Sequence, residues 1–194
     1  MGYKIVQLKD IDDEDLEKVF RTFSSVNEDV ESFLKYKSIQ FEKMDLSRTY
    51  LVFSEFKNKN VLVGYYSITN KPLIISKTNF SKFSNSLKKQ LLGIGHKTER
   101  DNYEIKSILV GQLGKNQNHK NLITGAELLV LIYKTIEKIY QLIGGRIIYL
   151  EVDDEIHLRK FYTENGFKEV PKYRTPNNQC LYIRRINSII SSIE

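Results

Sequence analysis

The chain has 194 residues, a formal net charge of +6 and 41% hydrophobic residues, enough for a single domain with one sizeable core. Its ten Gly and three Pro exclude collagen-like chains, linker arrays and disordered tails. No apolar run reaches the roughly 18 residues of a membrane span, and the N-terminus lacks the apolar core of a signal peptide, so we expect a cytoplasmic protein.

The first half of the chain predicts a strand, two helices and a hairpin. Residues 5–8 favour a strand, and the acidic run 12–15 marks a helix start, because acidic side chains stabilise the positive end of a helix dipole. Asn27 is a typical N-cap for a second helix, whose apolar residues repeat less regularly. β-Branched and aromatic residues at 49–53 and 61–68 predict the two strands of a hairpin joined by a polar turn.

The second half predicts an irregular segment followed by alternating strands and helices. Residues 70–100 suggest only short helical turns, whereas 103–113 read as one long strand that leads into a polar loop at 114–124. Helical periodicity from Gly125 predicts a long helix that ends at Gly144-Gly145. A strand at 147–152, a short helix from Asp153-Asp154 to Asn165-Gly166, and strands at 167–170 and 180–183 complete the chain. This order indicates one α/β (or α+β) domain, residues 1–194, with a mixed sheet.

The strand, loop and helix at 108–143 form the segment best suited to bind an anion. The free N–H groups and the dipole of a helix start attract negative charge, and Lys115, His119 and Lys120 add positive charge. The segment lacks the Gly-Lys-Ser/Thr of a triphosphate loop and the glycine triplet of a dinucleotide fingerprint. It therefore predicts a phosphate or pyrophosphate site, or else only a polar connection.

Two motifs in this half of the chain can be compared with a known family. The first is Leu109-Val110-Gly111-Gln112-Leu113, followed after eleven residues by Gly125-Ala126-Glu127-Leu128-Leu129, and the second is Lys160-Phe161-Tyr162-Thr163-Glu164-Asn165-Gly166-Phe167. In order and separation they resemble the acetyl-CoA motif and the C-terminal signature of the GCN5-related N-acetyltransferases, the GNAT superfamily. The resemblance implies a mixed, mainly antiparallel sheet flanked by helices, with a cofactor-binding core at about 103–167.

The resemblance also implies an N-acetyltransferase that moves the acetyl group of acetyl-CoA directly to an amine acceptor in a ternary complex, without a metal. Tyr162 is implied as the general acid that protonates the departing thiolate. Glu104 and Glu151 are candidates for a general base, a role that stays unassigned. The implied acetyl-CoA-binding residues are Leu113, Gly114, Lys115, Lys120, Asn121, Leu122, Ile123, Thr124, Gly125 and Ala126.

The chain departs from the family pattern Q/R-x-x-G-x-G/A at two positions of this loop. Lys120 replaces Gln or Arg but keeps a donor, and Ile123 replaces the first Gly, so the loop must accommodate a β-branched side chain there. Gly125 matches the last Gly. Glu155 replaces an Asn that is common at the head of the last helix, which puts one contact to acetyl-CoA in doubt.

A narrower resemblance concerns the N-terminal half. The segments Phe23-Ser24-Ser25-Val26-Asn27 and Ser47-Arg48-Thr49-Tyr50-Leu51-Val52 are similar to a GNAT branch that contains toxins acetylating aminoacyl-tRNA and proteins of mobile elements. The net positive charge is compatible with a tRNA substrate, but it is equally compatible with a role in solubility or in binding the phosphates of coenzyme A. The candidates are therefore an acetyltransferase of a mobile element, a toxin with an antitoxin partner, and a non-catalytic binding module.

The remaining candidate residues favour structural roles. Cys180, the single cysteine, lies in a late apolar stretch and indicates a buried strand thiol, and one cysteine excludes an internal disulfide. His96, His119 and His157 are far apart in sequence, so we expect no metal site. The final strands and the tail at 186–194 are candidates for a homodimer interface.

Overall fold

A computed structural model describes residues 2–92, 96–97 and 102–190. The strands are β1 (Tyr3–Gln7), β2 (Arg48–Phe56), β3 (Lys59–Thr69), β4 (Leu73–Ser76), β5 (His96–Lys97), β6 (Asn102–Ile105), β7 (Ser107–Lys115), β8 (Ile147–Val152), β9 (Lys168–Arg174) and β10 (Cys180–Arg185). The helices are α1 (Asp13–Arg21), α2 (Glu28–Ser32), α3 (Ser38–Lys43), α4 (Lys77–Ser81), α5 (Asn85–Leu92), α6 (Gly125–Ile143), α7 (Ile156–Glu164) and α8 (Ile186–Ile190). They form two compact units, Met1–Thr69 with Val110–Ile132 and Asn70–Leu109 with Tyr133–Glu194.

The first unit contains the sheet strands β1, β2, β3 and the C-terminal part of β7, in that order. Both β1 with β2 and β2 with β3 pair antiparallel. The turn between β2 and β3 places Lys57 and Asn58 at φ values of 51° and 58°. Two consecutive left-handed residues are what a tight hairpin turn needs to match the twist of its strands, so the predicted hairpin is confirmed.

The helices of the first unit explain the irregular repeat seen in the sequence. Asn27 caps α2, and its side chain accepts hydrogen bonds from the N–H groups of Asp29 and Val30, as predicted. A π-helical segment at Phe33–Lys37 joins α2 to α3 and widens the turn, which shifts the apolar stripe. The stripe packs into a core of Leu8, Leu16, Phe20, Phe23, Phe33, Leu34, Leu51, Leu62 and Tyr65.

The second unit contains two sheets. The N-terminal part of β7 pairs parallel with β8 through Ser107–Leu109 and Ile147–Tyr149, and β8 and β9 both pair antiparallel with β10. A separate sheet has the order β4, β6, β5. The hydrophobic core of the second unit consists of Leu73, Ile75, Phe80, Phe83, Leu91, Ile105, Ile147, Tyr149, Val170, Leu181 and Ile183. The prediction of an α/β fold with a mixed, mainly antiparallel sheet is thus confirmed.

The single long strand predicted at 103–113 is wrong, because the chain changes sheets at Lys106. Residues before it form β6, and residues after it form β7. The buried Ser107 hydroxyl accepts the N–H of Leu73 (2.8 Å) and lies within hydrogen-bonding distance of the carbonyl oxygens of Lys71 (2.8 Å) and Ile105 (3.0 Å). These side-chain bonds satisfy backbone groups at the point where the strand ladder is interrupted.

Other boundaries also differ from the sequence prediction. β7 extends to Lys115, and the final helix α8 was not predicted; its Ile186 and Ile189 are buried. Residues 191–194 of the tail, and 93–95 and 98–100 of the irregular segment, lie outside the described residues. Cys180 is fully buried on β10, as predicted. Within the part of the chain that the structure describes, no helix is both long and apolar enough to cross a bilayer.

Two glycines in the first unit allow the backbones around the end of β7 to approach closely. A Cβ on Gly64 would lie 2.8 Å from the carbonyl oxygen of Gly114, and one on Gly114 would lie 2.5 Å from Cε1 of Tyr65. Larger residues at either position would force neighbouring backbone or buried side chains to move. This close packing fixes the position of the end of β7, from which the following loop begins.

Candidate functional site

The loop between β7 and α6 begins with a buried asparagine. The side-chain oxygen of Asn116 accepts the N–H groups of Ser24 (3.2 Å) and Asn118 (3.1 Å). Its amide nitrogen donates to the carbonyl oxygens of Thr22 (3.0 Å) and Leu62 (2.8 Å). Asn116 is 0% exposed, and these four bonds use its full donor capacity and both acceptor positions. One side chain thus connects the loop to the segment after α1 and to β3.

Backbone hydrogen bonds fix the next part of the loop. The N–H of Gln117 donates to the carbonyl of Ser24 (2.8 Å), and Gln117–His119 form one turn of 3₁₀-helix. The N–H of Leu122 then donates to the carbonyl of His119 (3.0 Å). The path from Asn116 to Leu122 is therefore two successive tight turns.

A capping box starts α6. The N–H and hydroxyl of Thr124 each donate to Oε2 of Glu127 at 2.7 Å, and the N–H of Glu127 donates to the Thr124 hydroxyl at 3.1 Å. This reciprocal exchange satisfies two backbone donors of the first turn. The bonds from Thr124 are the main reason that the pKa of the Glu127 carboxyl lies below its usual range.

Tyr3 on β1 holds the same carboxylate from the other side. Its hydroxyl lies 2.9 Å from Oε1 of Glu127 and 3.1 Å from the carbonyl oxygen of Leu122. Burial, followed by the hydrogen bond to the Glu127 carboxylate, raises the pKa of Tyr3 to about 12. The phenol stays protonated at neutral pH and can donate to one of the two acceptors at a time.

The first-turn N–H groups of Gly125 and Ala126 have no acceptor within α6, because the first hydrogen bond inside the helix is donated by Leu128 to the Thr124 carbonyl. Among the hydrogen bonds of the described residues, none is donated by the N–H of Ile123. The Ile123 side chain is only 1% exposed, and its φ is not positive. A glycine is therefore not required here, and the departure from the family pattern leaves three backbone donors available to an anion.

The predicted acetyl-CoA-binding residues lie on one continuous segment in the first unit. Leu113, Gly114 and Lys115 end β7, Lys120 to Thr124 form the loop, and Gly125 and Ala126 open α6. The exposed members are Lys120, Asn121, Thr124 and Ala126, whereas Gly114 and Ile123 are buried. Exposed charge and free backbone donors on one loop provide what binding of a pyrophosphate requires.

Tyr162, the predicted general acid, lies on α7 in the second unit. Its ring is half-buried and packs against the rings of Phe161, Phe167 and Tyr182 at centroid distances of 5.0, 5.7 and 5.9 Å. Burial, with a smaller contribution from Tyr133, raises its pKa to about 12. Among the hydrogen bonds of the described residues, none involves the Tyr162 hydroxyl. The phenol is thus a protonated donor that has no acceptor within this part of the chain.

The two candidate bases lie on different sheets. Glu104 is on β6 in the three-stranded sheet, and not on one strand with residues 107–113 as the sequence predicts. Glu151 is half-buried on β8 of the larger sheet. Glu155 precedes α7 without making a side-chain cap, and its carboxylate lies 3.2 Å from Nδ1 of His157. The described residues contain no group of three or more His, Cys, Asp or Glu side chains that could hold a metal ion.

No protein-family model and no curated protein matches the sequence. Solved structures of similar architecture include a Tyr-to-Phe mutant of KacT, with a TM-score of 0.71, 17% identity and coverage of 99% of each chain. AtaT in complex with acetyl-methionyl-tRNAfMet has a TM-score of 0.69 and 19% identity over 100% of each chain. A mutant AtaT toxin bound to the C-terminus of the antitoxin AtaR and acetyl-CoA has a TM-score of 0.68 and 16% identity, covering 100% of this chain and 99% of that chain.

The chain has the GNAT fold. The fold prediction is confirmed, and the toxin structures share this fold over 99–100% of the chain.

Sequence reasoning missed three residues that hold this loop in place, Glu127, Asn116 and Tyr3. Thr124 and Glu127 have the spacing of a capping box, a signal that is visible in the sequence. Asn116 carries a weaker signal, since an asparagine that follows a strand often caps a turn. Tyr3 has none, because its partners are more than 100 positions away along the chain.

We predict that Asn116→Ala lowers the free energy of unfolding by about 3 kcal/mol, because it leaves buried backbone donors and acceptors without partners. Asn118→Ala is the matched control: its exposed side chain makes one bond, to the Thr22 carbonyl, and we expect a loss below about 1 kcal/mol. Urea unfolding of both variants measures the difference. Equal losses in the two variants would show that Asn116 does not hold the loop.

Proposed function

We propose that the protein is an acetyl-CoA-dependent N-acetyltransferase of the toxin type, and that it acetylates the amino group of an aminoacyl-tRNA. The observation that carries this proposal is the loop at the start of α6, where the N–H groups of Ile123, Gly125 and Ala126 remain available to an anion. The fold supports it, because AtaT structures of the same architecture are described as bound to acetyl-CoA.

The loop would bind the pyrophosphate of acetyl-CoA through these backbone donors, assisted by the exposed Lys120. A backbone N–H near residues 113–115 would donate to the thioester oxygen and stabilise the negative charge that develops there. In this proposal residues 1–194 form one acetyltransferase domain, with residues 103–167 as its cofactor-binding core. Because charged tRNA and acetyl-CoA are cytoplasmic substrates, the reaction would take place in the cytoplasm.

In the transfer step the neutral amine of the acceptor attacks the thioester carbon, and the carbon–sulfur bond breaks. Tyr162 gives its proton to the sulfur, and the proton that the amine loses returns to the phenol through water. A pKa of about 12 keeps the phenol protonated at neutral pH. It also exceeds the pKa of a thiol, roughly 8.5. Proton donation from the phenol to the thiolate is therefore unfavourable by itself. The proton that the amine loses restores the phenol and completes the step.

The acceptor is proposed from charge and architecture together. The chain carries a net charge of +6, and tRNA binding gains free energy as basic side chains release counterions from phosphates. AtaT, which shares the fold, is described as complexed with acetyl-methionyl-tRNAfMet. An antitoxin partner belongs to the same proposal, since AtaT is also described as bound to the C-terminus of its antitoxin AtaR.

Calorimetric titration with acetyl-CoA tests the first part of this proposal. We expect saturable binding with a micromolar Kd, about −8 kcal/mol. Substitution of Gly125 by Val, which adds bulk beside the free N–H groups, should weaken binding by at least tenfold. An absence of binding at millimolar acetyl-CoA would contradict the acetyltransferase assignment and favour a non-catalytic module.

For Tyr162→Phe we expect kcat to fall about 100-fold with no change in the Kd for acetyl-CoA, because the substitution removes a proton donor and keeps the ring. Tyr133→Phe is the control, since the Tyr133 hydroxyl bonds the carbonyl of Asn165 (3.3 Å). With a pKa of about 12, Tyr162 should cause no loss of kcat as pH rises to 10. Single-turnover rates measure both effects, and an unchanged rate in the Phe variant would exclude Tyr162 as the acid.

The acceptor itself is tested by acetyl transfer from labelled acetyl-CoA to aminoacyl-tRNA, to uncharged tRNA and to a panel of small primary amines. We expect product only with the charged tRNA, and a rate that decreases steeply between 50 and about 200 mM salt because phosphate contacts are screened. Transfer to small amines, with none to charged tRNA, would replace the toxin assignment with that of a small-molecule N-acetyltransferase.

A further inference from the structure

An exposed aromatic and basic cluster lies beside the loop in the first unit. We call it the hairpin-tip patch and define it as Phe56, Lys57 and Lys59 of the hairpin, together with His119 of the loop. The ring centroids of Phe56 and His119 are 5.8 Å apart, and Nζ of Lys57 lies 5.4 Å from the centroid of the Phe56 ring. The patch therefore combines an aromatic surface with cations at defined positions.

The geometry of the patch is set by the backbone. Lys57 occupies a left-handed position in the tight turn, and Lys59 is the antiparallel partner of Phe56 across the hairpin. Directly paired residues project from the same face of a sheet, so Lys59 shares a face with the Phe56 ring. The neighbouring acid, Glu55, projects from the opposite face because side chains alternate along a strand.

The lysines of the patch form no ion pair with any acidic side chain that the structure describes. No ion pair among the described residues involves Lys57, Lys59 or Lys120, whereas Lys18, Lys35, Lys43 and Lys160 on the helices each pair with an acidic side chain. Phe56 is 39% exposed. Glu127, the acid at the other end of the loop, is already engaged by Thr124 and Tyr3. Positive charge and an aromatic face are thus both available to a ligand.

The patch lies close to the predicted pyrophosphate donors. The hydrogen bond from the N–H of Leu122 to the carbonyl of His119 closes a turn, and such a turn brings its end residues to within about 7 Å. Ile123 follows directly, and Gly125 lies two residues beyond it. A ligand held by the N–H groups of Ile123 and Gly125 therefore needs to extend only about one nucleotide to reach His119.

We propose that the hairpin-tip patch binds the phosphorylated adenosine end of acetyl-CoA, with Lys57 and Lys59 on the 3′-phosphate and Phe56 against the adenine. This inference rests on the proposed function. One aromatic ring and two flanking cations match a single nucleotide that carries one further phosphate. A tRNA would contact several phosphates along its backbone, for which a patch of this size supplies too few cations. The patch thus acts in affinity and selectivity for the coenzyme, not in the chemical step.

The test compares acetyl-CoA with 3′-dephospho-acetyl-CoA by calorimetry, using the full chain. We expect the wild type to bind acetyl-CoA about tenfold more tightly. In Lys57→Asn this preference should decrease to about twofold, and asparagine suits the substitution because it tolerates the left-handed conformation of the turn. Phe56→Ala should weaken both ligands to the same degree. Lys138→Ala, which removes an equal charge from an exposed position on α6, is the control and should keep the tenfold preference.

Each outcome separates this proposal from the function on which it rests. Equal affinity of the wild type for the two ligands, or an unchanged preference in Lys57→Asn, would overturn the patch and leave the acetyltransferase assignment intact. If Lys57→Asn weakens only charged tRNA, the patch belongs to the nucleic acid and the proposal fails. Binding of adenosine 3′,5′-bisphosphate to the wild type, reduced in Lys57→Asn, would support the patch even where acetyl-CoA itself does not bind.

Discussion

The buried side chain of Asn116 is the interaction on which the candidate site depends. Three of its four hydrogen bonds join the end of β7 to the backbone of Thr22 and Ser24 after α1 and to Leu62 on β3, and the fourth is accepted from Asn118 within the loop. A side-chain amide has two donors and one acceptor oxygen, so it can replace backbone pairing at the point where a strand ends and a loop begins. The loop consequently leaves the sheet in one direction, and the N–H groups of Ile123, Gly125 and Ala126 follow from a fixed starting point.

The start of α6 shows how a loop can lack a glycine of the family pattern and still keep free backbone donors. The Glu127 carboxylate accepts the N–H of Thr124, and the N–H of Glu127 donates to the Thr124 hydroxyl. The hydroxyl of Tyr3 holds the Glu127 carboxylate from the other side. The N–H groups of Gly125 and Ala126 remain, and Ile123 turns its side chain inward without a positive φ. These free donors belong to the backbone, which explains why a glycine can be replaced when the local conformation does not require one.

Much of the fold was predictable because its signals are local. The acids at the start of α1, the Asn27 cap, the periodicity of α6 and the Gly144-Gly145 stop each act within one or two turns of chain. The two family motifs added the expectation of an acetyltransferase fold, and the fold of the toxin structures agrees with that resemblance. Residues 70–100 lacked such signals, since β4, α4 and α5 are short.

The sequence by itself determined the hairpin, the loop before α6, the order of the elements from α6 to β10 and the apolar faces, since all follow from composition and spacing along the chain. Tertiary structure alone decided that the strand predicted at 103–113 divides at Lys106 between two sheets, because the Ser107 bonds to Lys71 and Leu73 depend on distant backbone groups. It also decided the contact of Tyr3 with Glu127. No sequence periodicity reveals hydrogen-bond partners of this kind, because they lie far apart along the chain and meet only in the folded structure.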